Sequence, residues 1–283
     1  MAMNEPHSPE RYVSLLSDLH RLRIPVHTRG STMMMLGRLH AEEESDQDAN
    51  TVTGEIYTYY NLDSDSPWFN IERNEEAVES ELKGVSIPGN LKPHLSKFMF
   101  AFLTDTHRMC IQLKSGKRTL SIATASAAFK KLFALEELSD YAPIEVTVEP
   151  SRETVEEILK MPSLHRLHIE LVRPNPDDGH ELELALLDRL QKQSAVKMTQ
   201  ELVSQKDHSL HPDAATKDLA RVAASNGYVE GSGKDINNNS VMISTRNTPL
   251  IEKPIFDPRE GSLKDFMIYQ ARKITAFFDR SNG

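Results

Sequence analysis

The chain has almost no cysteine: Cys110 is the single one in 283 residues. One thiol cannot close an intramolecular disulfide, which fits a reducing, cytoplasmic setting. It cannot build structural zinc either, since such a site takes four Cys or His ligands at characteristic spacings. Set between Met109 and Ile111 in an alternating run, Cys110 reads as a small buried residue and not as a nucleophile. No window approaches the roughly 18 uninterrupted apolar residues of a membrane span, and mean hydropathy is −0.47. Met1 to Pro9 holds no basic segment followed by an apolar run, so no secretory signal is expected.

Glycine signatures for phosphate are missing as well. Gly233-Lys234 would need a glycine five residues earlier and a hydroxyl after the lysine, where the chain has Tyr228 and Asp235. Gly116-Lys117 has Ile111 and Arg118 at those places. Without the glycine turn the backbone N–H groups cannot wrap a phosphate. No Gly-x-Gly-x-x-Gly follows a strand, so a nucleotide bound in the standard manner is not expected. No cofactor and no metal is assigned.

What the chain does have is enough apolar material for a core, 39% hydrophobic with one Trp, seven Tyr and ten Phe, beside 27% charged residues. The net charge of −9 is unevenly placed. Between Ala41 and Asn90 thirteen Asp or Glu face two basic residues, Arg73 and Lys83, giving −11; the other residues carry 29 acidic and 31 basic groups, or +2. The excess comes from Glu42–Asp48 and from Glu72–Glu81. These groups form solvated faces or an acidic docking surface for a basic partner, and they repel a nucleic-acid backbone. Nucleic acid, if bound, would meet another part of the surface.

The periodicity points to an α+β fold with a mixed, mostly antiparallel sheet. Ser8 and Pro9 open a helix over 8–22, with Tyr12, Leu15, Leu16 and Leu19 at helical spacing. Strands are expected at 32–39, 52–62 and 68–72, with a short acidic helix at 75–83. Over 97–103, Phe98, Phe100 and Phe102 alternate with Met99, Ala101 and Leu103, so this strand is apolar on both faces and should be covered on both. Returning strands follow at 108–114 and 118–124, then a helix at 125–138. Residues 144–149, a helix ending before Pro162 and a strand over 164–172 read as one β-α-β unit. The sheet domain, including the N-terminal helix, is placed at 1–175. Residues 176–283 are expected to be mainly helical (180–192, 195–205, 212–225 and a last helix from Ser262) and packed on the first domain. A Gly/Asn-rich loop or hairpin fills 228–245. The wide apolar face of the last helix, over 263–278, must be buried against the body or against a second copy.

Two polar groups are candidate sites. On the strand 164–172, Arg166, His168 and Glu170 share the face opposite Leu167, Ile169 and Leu171. His165 and His168 point to opposite faces and cannot share a metal. If 144–149 is the neighbouring strand, Glu145 and Glu149 join that polar face. It then reads as a solvated face with cross-strand pairs, or as a surface for RNA, a peptide or a catalytic water, with His168 as general base and Arg166 as anion clamp. Asp105, His107 and Arg108 form the second group, in a turn. Asp177-Asp178 suit a helix start, and His208 and His211 an exposed linker.

Several segments together resemble a family. They are Gly54-Glu55-Ile56-Tyr57, Trp68-Phe69, the Phe-rich strand, Glu145-Val146-Thr147-Val148-Glu149-Pro150-Ser151, Arg173-Pro174-Asn175-Pro176-Asp177, Asn226-Gly227-Tyr228-Val229 and Thr248-Pro249. The chain resembles an uncharacterised family of bacterial proteins of about this length, a domain of unknown function found among mobile-element or phage-defence genes. The resemblance implies no catalytic residues. The expectation is a cytoplasmic bacterial protein acting as a protein-interaction or accessory component of a defence-type system. Its partner would be another protein, or itself through the helix 263–278. The alternative is a nucleic-acid-binding or nuclease effector using the polar sheet face; a metabolic enzyme without a familiar motif comes third.

Overall fold

The computed structural model describes residues 2–3, 8–40, 50–63, 66–83, 87–141, 143–172 and 181–280. The Glu42–Asp48 run, the Pro174–Pro176 stop and Asp177-Asp178 lie outside these residues. A two-residue strand, β1 (Ala2–Met3), precedes helix α1 (Pro9–Leu22). Ser8 caps α1 by accepting from the Arg11 N–H, and Pro9 fills the first helical position, where no donor is lost.

Five strands then form an antiparallel sheet. They are β2 (Val26–Arg29), β3 (Thr32–His40), β4 (Thr51–Tyr60) and, after an excursion, β7 (Ser96–Leu103) and β8 (Arg108–Ile111), hydrogen-bonded in that order. The excursion carries β5 (Phe69–Asn70), β6 (Glu75–Glu76) and α2 (Glu79–Leu82). Beyond β8 come the small hairpin β9 (Lys114–Ser115) and β10 (Arg118–Thr119), then α3 (Ile122–Phe133). The strand expected over 118–124 stops early because Ser121 accepts from the Thr124 N–H and starts the helix there. A 3₁₀ turn, Glu136–Tyr141, replaces the end of the expected helix.

Phe98, Phe100 and Phe102 sit in a core with Tyr12, Leu15, Leu16 and Leu19 of α1 and Ala125, Phe129 and Leu132 of α3. On the other side of β7, Ala101 and Leu103 are buried under Met267 and Ala271 of the last helix, α7 (Leu263–Arg280). β7 is therefore covered on both faces, as its composition requires. Leu263, Met267 and Ala271 of α7 are thus packed against the body of the protein.

The rest forms a two-stranded ladder and a second main sheet of four strands. β11 (Ile144–Glu145) pairs with β1, and α4 (Arg152–Leu159) leads into β12 (Ser163–Val172). After α5 (Glu181–Lys192), β13 (Lys197–Val203) lies on one side of β12. After α6 (Ala214–Ser225), β14 (Gly227–Lys234) lies on the other side and continues into β15 (Ser240–Ser244). The order is β13-β12-β14-β15, and every pairing among the described residues is antiparallel.

Three expectations change here. The strand–helix–strand order over 144–172 exists, but β11 and β12 belong to different sheets. The backbone around Pro150 is occupied elsewhere, since Ser151 N–H donates to Thr248 C=O and Leu250 N–H to Glu149 C=O. The parallel crossover is instead β13–α6–β14: both strands run antiparallel to β12 and so parallel to each other, with β12 inserted between them. Residues 195–205, read as helix, hold strand β13 instead, because pairing with β12 outweighs a weak local preference. The boundary placed at 175 falls between two strands of one sheet, and the region beyond it holds three strands.

One core serves this second sheet. Leu164, Leu167, Ile169 and Leu171 of β12 meet Ile158 of α4 and Leu219, Ala220 and Ala223 of α6. Close approach needs glycine on β14. A Cβ on Gly231 would stand 2.4 Å from Ile158 Cγ2, and one on Gly233 would stand 2.0 Å from the Ser163 carbonyl oxygen.

Candidate functional site

The alternation that turns Leu167, Ile169 and Leu171 inward turns Arg166, His168 and Glu170 outward. A bulge between Leu164 and Arg166 lets Leu164 face the core too. It leaves His165 half-buried, with Nε2 3.0 Å from the Ser163 hydroxyl. Opposite the three polar residues, register places Glu201 and Thr199 on β13 and Ser232, Glu230 and Tyr228 on β14. Helices α4 and α6 pack on the apolar side. On the polar side, Arg246 of the 3₁₀ turn Thr245–Asn247 reaches over the sheet.

Charges on this face are matched pair by pair. Arg166 Nε donates to Glu201 Oε1 at 2.6 Å, and its guanidinium lies 3.9 Å from Glu230. Glu170 sits between Lys197, at 3.1 Å, and Arg246, at 3.6 Å. His168 Nε2 is hydrogen-bonded to the Tyr228 hydroxyl at 2.9 Å, and Nδ1 lies 3.7 Å from Glu201. Arg246 covers the Tyr228 ring with its guanidinium carbon 3.4 Å from the centroid, while the His168 ring stacks against Tyr228 at 5.2 Å. The hydrogen bond and charge of Arg166, aided by His168, hold the Glu201 carboxyl below the usual range. Exposed and half-exposed pairs of this kind contribute little to stability. Their main effect is to fix six charged side chains in one pattern.

The expected set divides. Arg166, His168 and Glu170 stand together, but Glu145 and Glu149 do not join them, because β13 and β14 take both edges of β12. Glu145 lies opposite Ala2. Glu149 accepts from the Ser225 hydroxyl at 2.6 Å and faces Arg108 at 3.9 Å, tying β8 to α6. The second group is dispersed: Asp105 accepts from the Thr106 N–H at the surface, whereas His107 is 1% exposed with its ring 4.2 Å from that of Tyr12. Arg108 turns toward Glu149. Lys197, Glu201, Tyr228, Glu230 and Arg246 were missed. Period-2 alternation of Lys197, Thr199, Glu201 and Val203 against Met198, Gln200 and Leu202 was the available signal for the first two.

Among the described residues no group of three or more His, Cys, Asp or Glu could hold a metal ion. Burial pushes the Cys110 thiol up to about 11, against activation as a nucleophile. No helix of the described residues is long and apolar enough to cross a membrane.

The geometry defines an α+β protein with two main antiparallel sheets, the second with an open, charge-matched face. Comparison with known families agrees with an uncharacterised domain. The chain belongs to the family described as a domain of unknown function, DUF4747, whose family model matches residues 1–272. A stretch of 135 residues is 28% identical to Protein sax-3 of Caenorhabditis elegans, covering 48% of this chain and 10% of that protein. The chain thus spans about a tenth of the length of that curated relative.

Proposed function

We propose that this chain is a non-catalytic docking component, a cytoplasmic bacterial protein that binds a protein partner through the open face of its second sheet. One observation carries the docking reading: three cations and three carboxylates alternate on that face, each facing an opposite charge. A phosphate backbone approaching Arg166 or Lys197 would also meet Glu201 and Glu170, which disfavours it. A protein surface with the complementary pattern gains specificity from the same arrangement. The bacterial, defence-type setting rests on the resemblance set out from the sequence.

A second reading keeps nucleic acid in play. The Arg246–Tyr228–His168 stack is the kind of guanidinium and aromatic platform on which unpaired bases stack.

A photo-crosslinking residue at Thr199, on the exposed face of β13, distinguishes the two in bacterial cells. The docking reading expects one protein adduct, lost on Arg166→Glu. Adducts with RNA or DNA would overturn it. So would magnesium-dependent cleavage of tRNA or plasmid DNA that His168→Ala abolishes.

A further inference from the structure

The excursion between β4 and β7 is anchored at its root, and its described residues contribute to none of the cores. The Asn61 N–H donates to Ser31 C=O at 2.8 Å, and the Tyr60 N–H donates to Pro93 C=O at 2.9 Å. The Tyr60 ring lies 4.6 Å from that of His94, which Arg118 also reaches at 3.1 Å. Between these ends no described residue belongs to any of the three hydrophobic cores. Its regular structure is the short helix α2 and a hairpin of two residue pairs, Phe69 with Glu76 and Asn70 with Glu75, extended by Ala77 N–H to Trp68 C=O. Hairpins this small are marginal in water by themselves.

The excursion is nevertheless rich in large apolar side chains, and they are turned to solvent. Ile71 is 81% exposed, Phe69 64%, Leu91 57% and Leu95 52%, with Val78 and Ile87 close to half exposed. Single exposed apolar residues need no explanation, but this density along one excursion marks an interaction surface. The charge beside them is mainly negative. Residues 66–82 hold five Glu and one Arg, a net of −4. Glu81 is consumed internally, bonded to Arg73, Asn70 and the Val78 N–H. Glu72, Glu75, Glu76 and Glu79 are exposed and make no ion pair among the described residues. Of the three cations in the excursion, Arg73, Lys83 and Lys92, Arg73 is already bound to Glu81.

We infer that the 61–95 excursion is a docking surface for a basic segment of a partner protein that carries apolar side chains among its lysines or arginines. Four unmatched carboxylates supply the attraction and orientation, and burial of Phe69 and Ile71 supplies the affinity. The same carboxylates exclude nucleic acid. This surface is separate from the face of the second sheet, and the two can fail or hold independently.

The only tryptophan, Trp68, precedes Phe69 in the hairpin and is half-buried, so its fluorescence reports on this site alone. The probe is a synthetic peptide of about 18 residues patterned from Lys and Leu to be amphipathic. A Glu/Leu peptide of the same pattern is the control, and both are titrated into the full chain. The Lys/Leu peptide is expected to bind, shift the Trp68 emission and weaken with salt, while the Glu/Leu peptide does not bind. Affinity should fall at least about tenfold in Phe69→Ser/Ile71→Ser and again in Glu75→Lys/Glu76→Lys. Both variants change exposed side chains only, and an unaltered unfolding midpoint verifies their fold. Lack of binding, or binding that survives either variant, overturns the inference. A Trp68 shift that depends on protein concentration without peptide also overturns it, by making a second copy of this chain the occupant.

Discussion

The Tyr228 hydroxyl and His168 Nε2 are 2.9 Å apart, on diagonal positions of β14 and β12, with the two rings stacked. The pair joins the strands on the open face, and Arg246 closes over it. Removing the hydroxyl alone, in Tyr228→Phe, keeps the stack and deletes the hydrogen bond. A loss of about 0.5–1.5 kcal/mol in urea unfolding is expected. In a His168→Ala background the same substitution should cost less, and equal costs in both backgrounds would contradict the pairing.

Gly231 and Gly233 are both required by close approach, but their neighbours differ in kind. Gly231→Ala meets the side chain of Ile158, which can be trimmed, whereas Gly233→Ala meets the carbonyl of Ser163, which cannot. Each single variant should lose about 1–3 kcal/mol or more by overpacking. Ile158→Ala should recover part of the Gly231→Ala loss relative to the sum of the two single variants, and none of the Gly233→Ala loss.

Burial, the leading cause, places the Cys110 thiol near 11 where an ordinary thiol stands at 9. At pH 8 its thiolate population is therefore about 100-fold lower than that of an unperturbed thiol. A colorimetric disulfide reagent should modify native Cys110 slowly and the urea-unfolded chain fast. Equal rates would show that the strand does not shield it.

Tyr141 donates its hydroxyl to Asp18 Oδ2 at 2.6 Å. Burial first and the Asp18 carboxylate second push its pKa from 10.0 up to about 12. The folded chain keeps this proton at pH values where the unfolded chain has lost it. Its stabilising contribution is therefore complete below pH 10 and is lost as pH rises through about 12. Urea midpoints measured from pH 9 to 12 should decline more gently in Tyr141→Phe than in the parent; identical slopes would refute the assignment.

Elements with a strong local signal were legible. Ser8-Pro9 and the 3.6-residue stripe of α1 define that helix, and the double-faced run 97–103 defines a covered strand. Ser262 and Asp265 mark the last helix, where the Asp265 N–H donates to the Ser262 hydroxyl and that hydroxyl donates to Asp265 Oδ2. β13 was misread as helix, because the period-2 alternation of a seven-residue strand with Met, Gln and Leu on one face is a weak signal. Half of the candidate face was legible for the same reason that β12 was: alternation puts Arg166, His168 and Glu170 on one side. The other half, Glu201, Glu230, Tyr228 and Arg246, depended on which strands flank β12.

By itself the sequence determined the α+β class, the cap and stripe of each strongly patterned helix, the faces of β7 and β12, and the location of the negative charge. These follow from local stereochemistry and from the two side-chain periods, which act over a few residues. Only the tertiary structure decided that β12 lies between β13 and β14, that Glu149 joins Arg108 and Ser225, that α7 closes on β7, and that Phe69, Ile71, Leu91 and Leu95 face water. Such pairings join segments tens of residues apart, and they are selected by how all the apolar faces can be buried together.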